Sequence, residues 1–219
     1  MTSLNPRPER PIRFYHSDIS GHSHRVQLFL TLLGLPFEVI PVDLTRQEQR
    51  EPAFLALNPF GQVPVIDDNG FVLADSNAIL VYLAKRYDAG HDWLPEDAVR
   101  AARTQRWLSV AAGPLAAGPA RSRVINLFRL SMDQEAAIAT ALKLFSLMDA
   151  ELEGHPFITG ASPTIADLAL YTYTAHAPEG DIPLTPYAHL QAWLKRIEAL
   201  PRFVPMRPSP IGLLADLTG

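Results

Sequence analysis

Three short stretches carry groups able to do chemistry. In 17–26, Ser17, Ser20 and Ser23 are interleaved with His22 and His24 just ahead of Arg25 and Val26, which brings hydroxyls and imidazoles to the start of a helical pattern. Further on, Gln62 and Val63 precede Pro64 at the opening of an apolar run. Proline cannot donate to a strand ladder, so Pro64 belongs at a strand's first residue or edge, and the backbone of Val63 is free for another partner. Asp75 and Ser76 stand where a helix begins. A first helical turn presents unpaired N–H groups, a ready-made carboxylate site. A free strand edge beside an anion-binding helix start suits a peptide-like ligand.

The chain contains no cysteine. A disulfide framework, a thiolate nucleophile, a cysteine-ligated metal and a Cys-x-x-Cys redox centre are all excluded. Any thiol chemistry must use a thiol that a substrate brings. His22 and His24 flank Ser23 with His16 nearby, but no third ligand stands at a known spacing, so no metal is expected.

The elements that must position these groups follow from pattern. Ile12 to His16 is a short β-rich run, and 17–21 is a polar loop. From Ser23 onward Val26, Phe29, Leu30 and Leu33 fall on one helix face, with Gly34 as the stop. Residues 36–44 read as a second strand, which Pro41 demotes to an edge or bulged strand. Strand, helix, strand over this length predicts a right-handed βαβ unit. A short helical segment over 52–57 leads to 63–66 and 71–73, which predict an antiparallel hairpin because Asn69-Gly70 accepts positive φ at both turn positions. A helix then opens at Asp75-Ser76. The order βαβ then ββα is that of an α/β thioredoxin-like N-terminal domain over 11–87, and 88–95 is a Gly- and Pro-containing linker.

The remainder, 96–219, predicts an all-α C-terminal helical domain. A helix over 96–112 is followed by a Gly/Pro-rich interruption at 113–119 and a further helical piece to about Phe128. Ser131-x-x-Gln134 reads as a capping box opening a helix to about Glu153, and Thr164-x-x-Asp167 as a looser one opening 168–175. Thr185-Pro186 supplies an N-cap and a first-position proline for a helix to about Leu200. Residues 203–219 are expected to wrap over the surface.

A formal charge of −4 with no dense Lys/Arg block argues against nucleic acid and anionic membrane as partners. No apolar run approaches the roughly 20 residues of a membrane span, and 1–11 lacks the apolar core of a secretory signal. A soluble, cytoplasmic protein is expected.

Val63-Pro64, the hairpin and the Asp75-Ser76-x-Ala78-Ile79 helix start together resemble the glutathione-binding half of the cytosolic glutathione transferases, and Thr164-Ile165-Ala166-Asp167-Leu168 resembles the capped central helix of their helical domain. The likeness covers nearly the whole chain. It implies a cis proline at Pro64, pairing of the Val63 backbone with the cysteinyl part of glutathione, and a γ-glutamyl end held by Asp75 and Ser76, with Gln62 beside them. It gives Thr164 and Asp167 a structural role. Glutathione is the implied co-substrate, no metal is implied, and the partners are a small hydrophobic electrophile and a second copy of the chain in a homodimer, with the helices over 76–87 and 96–112 facing it.

The implied activity is that of a transferase, which activates the glutathione thiol for attack on an electrophile or for disulfide or peroxide exchange, as in detoxification. A free thiol with a pKa near 8.5 is only about 3% thiolate at pH 7, and lowering it by about two units takes roughly 2.7 kcal/mol. A hydroxyl hydrogen bond and a helix N-terminus together supply that order of energy. In the serine- and cysteine-using transferases the catalytic residue lies six positions before a Val or Ile of the first helix; counting back from Val26 gives Ser20. Ser23 and Ser17 are the alternatives, helix capping competes as a role for Ser20 and Ser23, and Tyr15 is placed inside a strand. His22 is expected to line the thiol pocket. Trp107, Leu108 and Ala111 are expected to line the electrophile pocket. Ser20, Arg25 and Val26 also resemble part of the loop of maleylacetoacetate isomerase-type enzymes, which lacks its second serine and cysteine here, and a non-catalytic transferase-like binding module is the remaining alternative.

Overall fold

A computed structural model describes residues 6–209. Four strands form one mixed sheet in the order β2-β1-β3-β4. β1 (Ile12–His16) pairs parallel with β2 (Phe37–Pro41), and α1 (Gly21–Leu32) is the crossover between them. β3 (Val65–Asp68) runs antiparallel to β1 and to β4 (Phe71–Ala74). Asn69 and Gly70 turn the hairpin with φ of 53° and 93°, the left-handed pair such a tight turn requires. β2 is an edge strand, as its proline demands.

Alternation along β1 sends its side chains to opposite faces. Ile12 and Phe14 join the main core with Ile66, while Tyr15 packs with Val42, Phe54, Val63 and Val65 under the short α2 (Pro52–Leu55). α3 (Ser76–Tyr87) lies beside α1. Tyr82 and Tyr87 donate from it to the buried Asp68 carboxylate at 2.7 and 2.5 Å, tying helix to hairpin.

The rest of the described chain is helical. α7 (Ile165–Ala175) is its centre: Ile165 to Thr174 are all buried, with α1, α3 and α4 (Ala98–Val110) packed around them. Its start is the expected capping box. Asp167 Oδ2 accepts from the Thr164 amide at 2.8 Å, and Oδ1 accepts from Ile158 N and from Trp193 Nε1, each at 2.8 Å. Burial pushes the Asp167 carboxyl up, and those donors oppose the rise.

Three local expectations are corrected. The Gly/Pro-rich stretch does not interrupt the helix: Ala111–Ala120 continues α4 as wider π-helical turns into α5 (Arg121–Phe128). Turns bonded i→i+5 re-route the carbonyls that Pro114 and Pro119 leave without an intrahelical donor. Gly118 lets this segment press onto α6 (Gln134–Glu151), where a Cβ would sit 2.8 Å from the Ala141 nitrogen. Secondly, α6 is capped by Asp133, which accepts from Ala136 N at 2.9 Å, and not by Ser131; the Gln134 amide is drawn away to Asn126 at 2.8 Å. Thirdly, α8 (Ala188–Glu198) starts after Thr185-Pro186, and Asp149 of α6 accepts from Leu190 N at 2.8 Å, a cap supplied by tertiary packing. Of the C-terminal segment, 203–209 lies against α1 and α7, with Phe203 edge-on to Tyr171 and Val204 O accepting from His24; 210–219 lies outside the described residues.

Candidate functional site

A cavity of about 290 Å3 opens between the sheet half and the helical half. The start of α1 gives it Ser20 and His22; the chain before β3 gives Gln62, Val63 and Pro64; the start of α3 gives Asp75 and Ser76. Seven of the residues singled out from the sequence thus meet on one wall. The Val63–Pro64 peptide is cis. Val63 lies outside the β1–β3 and β3–β4 registers, so its backbone is not committed to the sheet.

The two helix starts are built alike. Ser20 is the N-cap of α1, with extended backbone and an Oγ that accepts from Ser23 N at 3.2 Å. Asp75 is the N-cap of α3, and its Oδ1 accepts from Ala78 N at 2.8 Å. Beneath them runs a chain of polar contacts. The buried Arg25 guanidinium donates through Nη1 to Ser76 Oγ and Asn77 Oδ1, both at 2.8 Å, and His22 Nδ1 lies 3.2 Å from the same Ser76 hydroxyl. His22 is driven down to about 3 by burial and by the Arg25 charge, although part of its ring faces the cavity. It is therefore a neutral imidazole at neutral pH.

The other two serines sit differently. Ser23 has no exposed surface, and its Oγ accepts from Ser17 N at 3.3 Å. Ser17 is buried on the same side of the loop, and neither residue is on the cavity wall. The histidines also separate: His24 is held by Thr172 Oγ1 and Val204 O at 2.9 and 2.8 Å, and His16 by Asp18 at 2.9 Å. Among the described residues no group of three or more His, Asp or Glu is placed to hold a metal ion.

Trp107, Leu108 and Ala111 are elsewhere. Trp107 and Leu108 on α4 and Ala111 directly after it are all buried in the main core, and none lines the cavity. Because the helix does not break at Gly113, the chain reaches the cavity farther along, and Arg123, Val124 and Phe128 of α5 line it together with Tyr173 of α7. Val124 and Phe128 form the apolar side. Arg123 clamps the serine loop: Nη1 donates to Ile19 O at 2.9 Å, Nε to Glu179 at 2.6 Å, and Nη2 to Ser209. Burial works to raise the Glu179 carboxyl, but hydrogen bonds from His176, the Ser209 backbone and Arg123 prevail and hold it at about 2.

Sequence reasoning missed these four, because α5 and α7 are far apart along the chain and share no motif. One signal was present, a glycine directly after Ser20, since a conformationally free residue inside a helix start marks a close approach.

The wall therefore offers an uncommitted backbone edge, two helix N-termini, hydroxyls and an apolar patch, a set suited to a small peptide with an anionic end and a soft nucleophile. Comparison with known proteins agrees. The glutathione S-transferase N-terminal domain family matches residues 19–86, and the glutathione S-transferase C-terminal domain family matches 116–201. Glutathione S-transferase 3 of Zea mays is 32% identical over 217 residues, covering 91% of this chain and 97% of that protein. A zeta-class glutathione S-transferase of Euphorbia esula is 33% identical over 75% of each chain. The crystal structure of a glutathione S-transferase from Pseudomonas fluorescens superposes with a TM-score of 0.85 at 32% identity, over 90% of this chain and 99% of that one.

Proposed function

Since this chain belongs to the cytosolic glutathione transferase superfamily, we propose that it is a working glutathione transferase in which Ser20 activates the glutathione thiol for attack on a small hydrophobic electrophile. The observation that carries this reading is Ser20, whose hydroxyl caps α1 and which lines the same cavity as Val63-Pro64 and Asp75-Ser76. Capping and activation are compatible. A hydroxyl has two acceptor sites and one donor, so Ser20 accepts from Ser23 N and keeps its hydrogen for a thiolate.

Ser76 plays the matching part at the other helix start. Arg25 occupies one lone pair of its Oγ, and with His22 donating from Nδ1 the Ser76 hydrogen is free for the γ-glutamyl carboxylate. The Val63 backbone pairs with the cysteinyl portion, and Asp75 faces the ligand's ammonium group. Val124 and Phe128 receive the electrophile. In this reading 11–87 binds glutathione, 96–219 completes the second pocket, and the protein works in the cytoplasm in detoxification. A homodimer fits the exposed apolar side chains Phe60 and Val99, which are 78% and 61% exposed, and sedimentation at micromolar concentration tests it.

The deciding experiment combines two measurements. Millimolar glutathione is expected to raise the melting temperature, since a ligand that binds the folded state stabilises it. Turnover across a panel of aryl halide, epoxide, enone and peroxide substrates is expected to be lost in Ser20→Ala with glutathione binding retained. No stabilisation, or tight binding with no turnover on any substrate, would leave a binding module. The zeta-class relative makes cis-trans isomerisation of a maleyl diketo acid the second assay to run.

A further inference from the structure

The first residue of α1 is a glycine, and α7 explains why. A Cβ at Gly21 would lie 2.7 Å from Cζ of Tyr173 and 2.8 and 3.1 Å from its two Cε atoms. Those are the atoms at the hydroxyl end of the ring, so that end of the phenol is pressed against the start of α1. Its ring also stands edge-on to His22, with centroids 5.0 Å apart. Tyr173 is 5% exposed, and it lines the same cavity as Ser20.

A helix start leaves its first amides without intrahelical partners. At α1 the Ser20 Oγ takes the Ser23 amide, and the hydroxyl end of the Tyr173 ring lies against Gly21, the residue that follows Ser20. A phenolic hydroxyl carries one hydrogen that it can donate. Ser20 and Tyr173 thus each bring a hydroxyl-bearing side chain to the α1 start, one from each half of the molecule, and both border the cavity.

We propose that the Tyr173 hydroxyl is a second catalytic donor to the glutathione sulfur, acting with Ser20 to hold the thiolate at the start of α1. The inference rests on the glutathione transferase reading and deepens it. Burial pushes the Tyr173 phenol up, with the Arg25 and Arg123 charges opposing that rise, so the group keeps its hydrogen at neutral pH. Gly21 is then the residue that lets α7 reach the sulfur site. The activating unit is shared between the two halves, and a thiolate forms only where they are packed together.

The test is Tyr173→Phe in the full chain, which keeps the ring against Gly21 and His22 and removes one oxygen. The pH titration of the ultraviolet thiolate absorbance of enzyme-bound glutathione is compared for wild type, Y173F, S20A and the double variant, with glutathione Kd measured on each. Y173F is expected to raise the bound thiol's apparent pKa by about one unit, roughly tenfold less thiolate at a given pH below it, with Kd changed by less than about threefold. The double variant is expected to shift further than either single one. A Y173F titration that superimposes on wild type while S20A is shifted overturns this inference alone. Wild-type protein that does not bind glutathione overturns the transferase reading and this inference with it.

Discussion

The starts of α1 and α3 face one cavity and share one cap hydrogen bond, a side-chain oxygen accepting the amide three residues on, yet they differ in charge. α3 is capped by the carboxylate of Asp75, which already answers the positive end of the helix dipole. α1 is capped by neutral Ser20, has no acidic residue in its first turn, and has a neutral His22 beside it. The α1 end therefore keeps its field for an anion that arrives with the ligand, while the α3 end, with a carboxylate outside and the Arg25 cation beneath, suits a group bearing both charges. On the proposed reading, one helix start stabilises a thiolate and the other recognises an amino acid end.

Four experiments test that contrast. Ser20→Ala at the α1 start is expected to lower kcat on the order of 10²–10³-fold, about 2.7–4 kcal/mol, as when one donor to a developing anion is removed. Glutathione Kd should change little; a variant that loses binding and keeps kcat would reverse the assignment of the two ends. Ser76→Ala at the α3 start is expected to do the opposite, weakening glutathione binding about 10- to 100-fold through loss of a hydrogen bond to a charged group, worth about 1.5–3 kcal/mol. Calorimetric titration checks it, and an unchanged Kd would show that the γ-glutamyl end is not held there.

Gly21→Ala forces a methyl group into the Tyr173 ring and is expected to destabilise the fold by about 1–3 kcal/mol, the usual cost of overpacking. Denaturant unfolding reads this. A Gly21→Ala variant as stable as wild type would mean that α7 can draw back from the α1 start.

The smallest effect concerns acid. Glu179 holds Arg123, which holds the Ile19 carbonyl next to Ser20, whereas the α3 start is held by Arg25 through Ser76 and Asn77. The Glu179 carboxyl sits at about 2 against an ordinary 4.5, so the native state binds that proton less readily than the unfolded chain. Its stabilisation is complete above pH 4.5 and is lost as pH falls toward 2. Glu179→Gln is expected to flatten the decline of melting temperature across that window; a decline as steep as wild type's would remove the clamp from the account.

Much of the sheet half was legible because its signals are local. Asn69-Gly70 requires a hairpin, Pro64 and Pro41 confine their strands to an edge or a start, and Asp75 and Ser20 stand at helix starts. The helical half was less legible where a remote partner decides. Ser131-x-x-Gln134 satisfies the capping-box pattern, but Gln134 finds Asn126 and the cap passes to Asp133. Gly113, Pro114, Gly118 and Pro119 read as a break, but packing of this segment on α6 sustains wide turns through them. That continuity moved the cavity wall from Trp107, Leu108 and Ala111 to Arg123, Val124 and Phe128.

By itself the sequence determined that no thiol comes from the protein, that an uncommitted backbone edge precedes a hairpin, and that two capped helices begin nearby. These depend on residue chemistry and on bonds spanning a few positions. Packing alone decides which of three serines lines the cavity, since Ser20 and Ser23 are separated by less than one helical turn and one is on the wall while the other is sealed inside. It alone decided that Tyr173 and Arg123 stand opposite. Those contacts join residues on the order of a hundred positions apart, and the packing of α5 and α7 against α1, which no local pattern encodes, sets their distance.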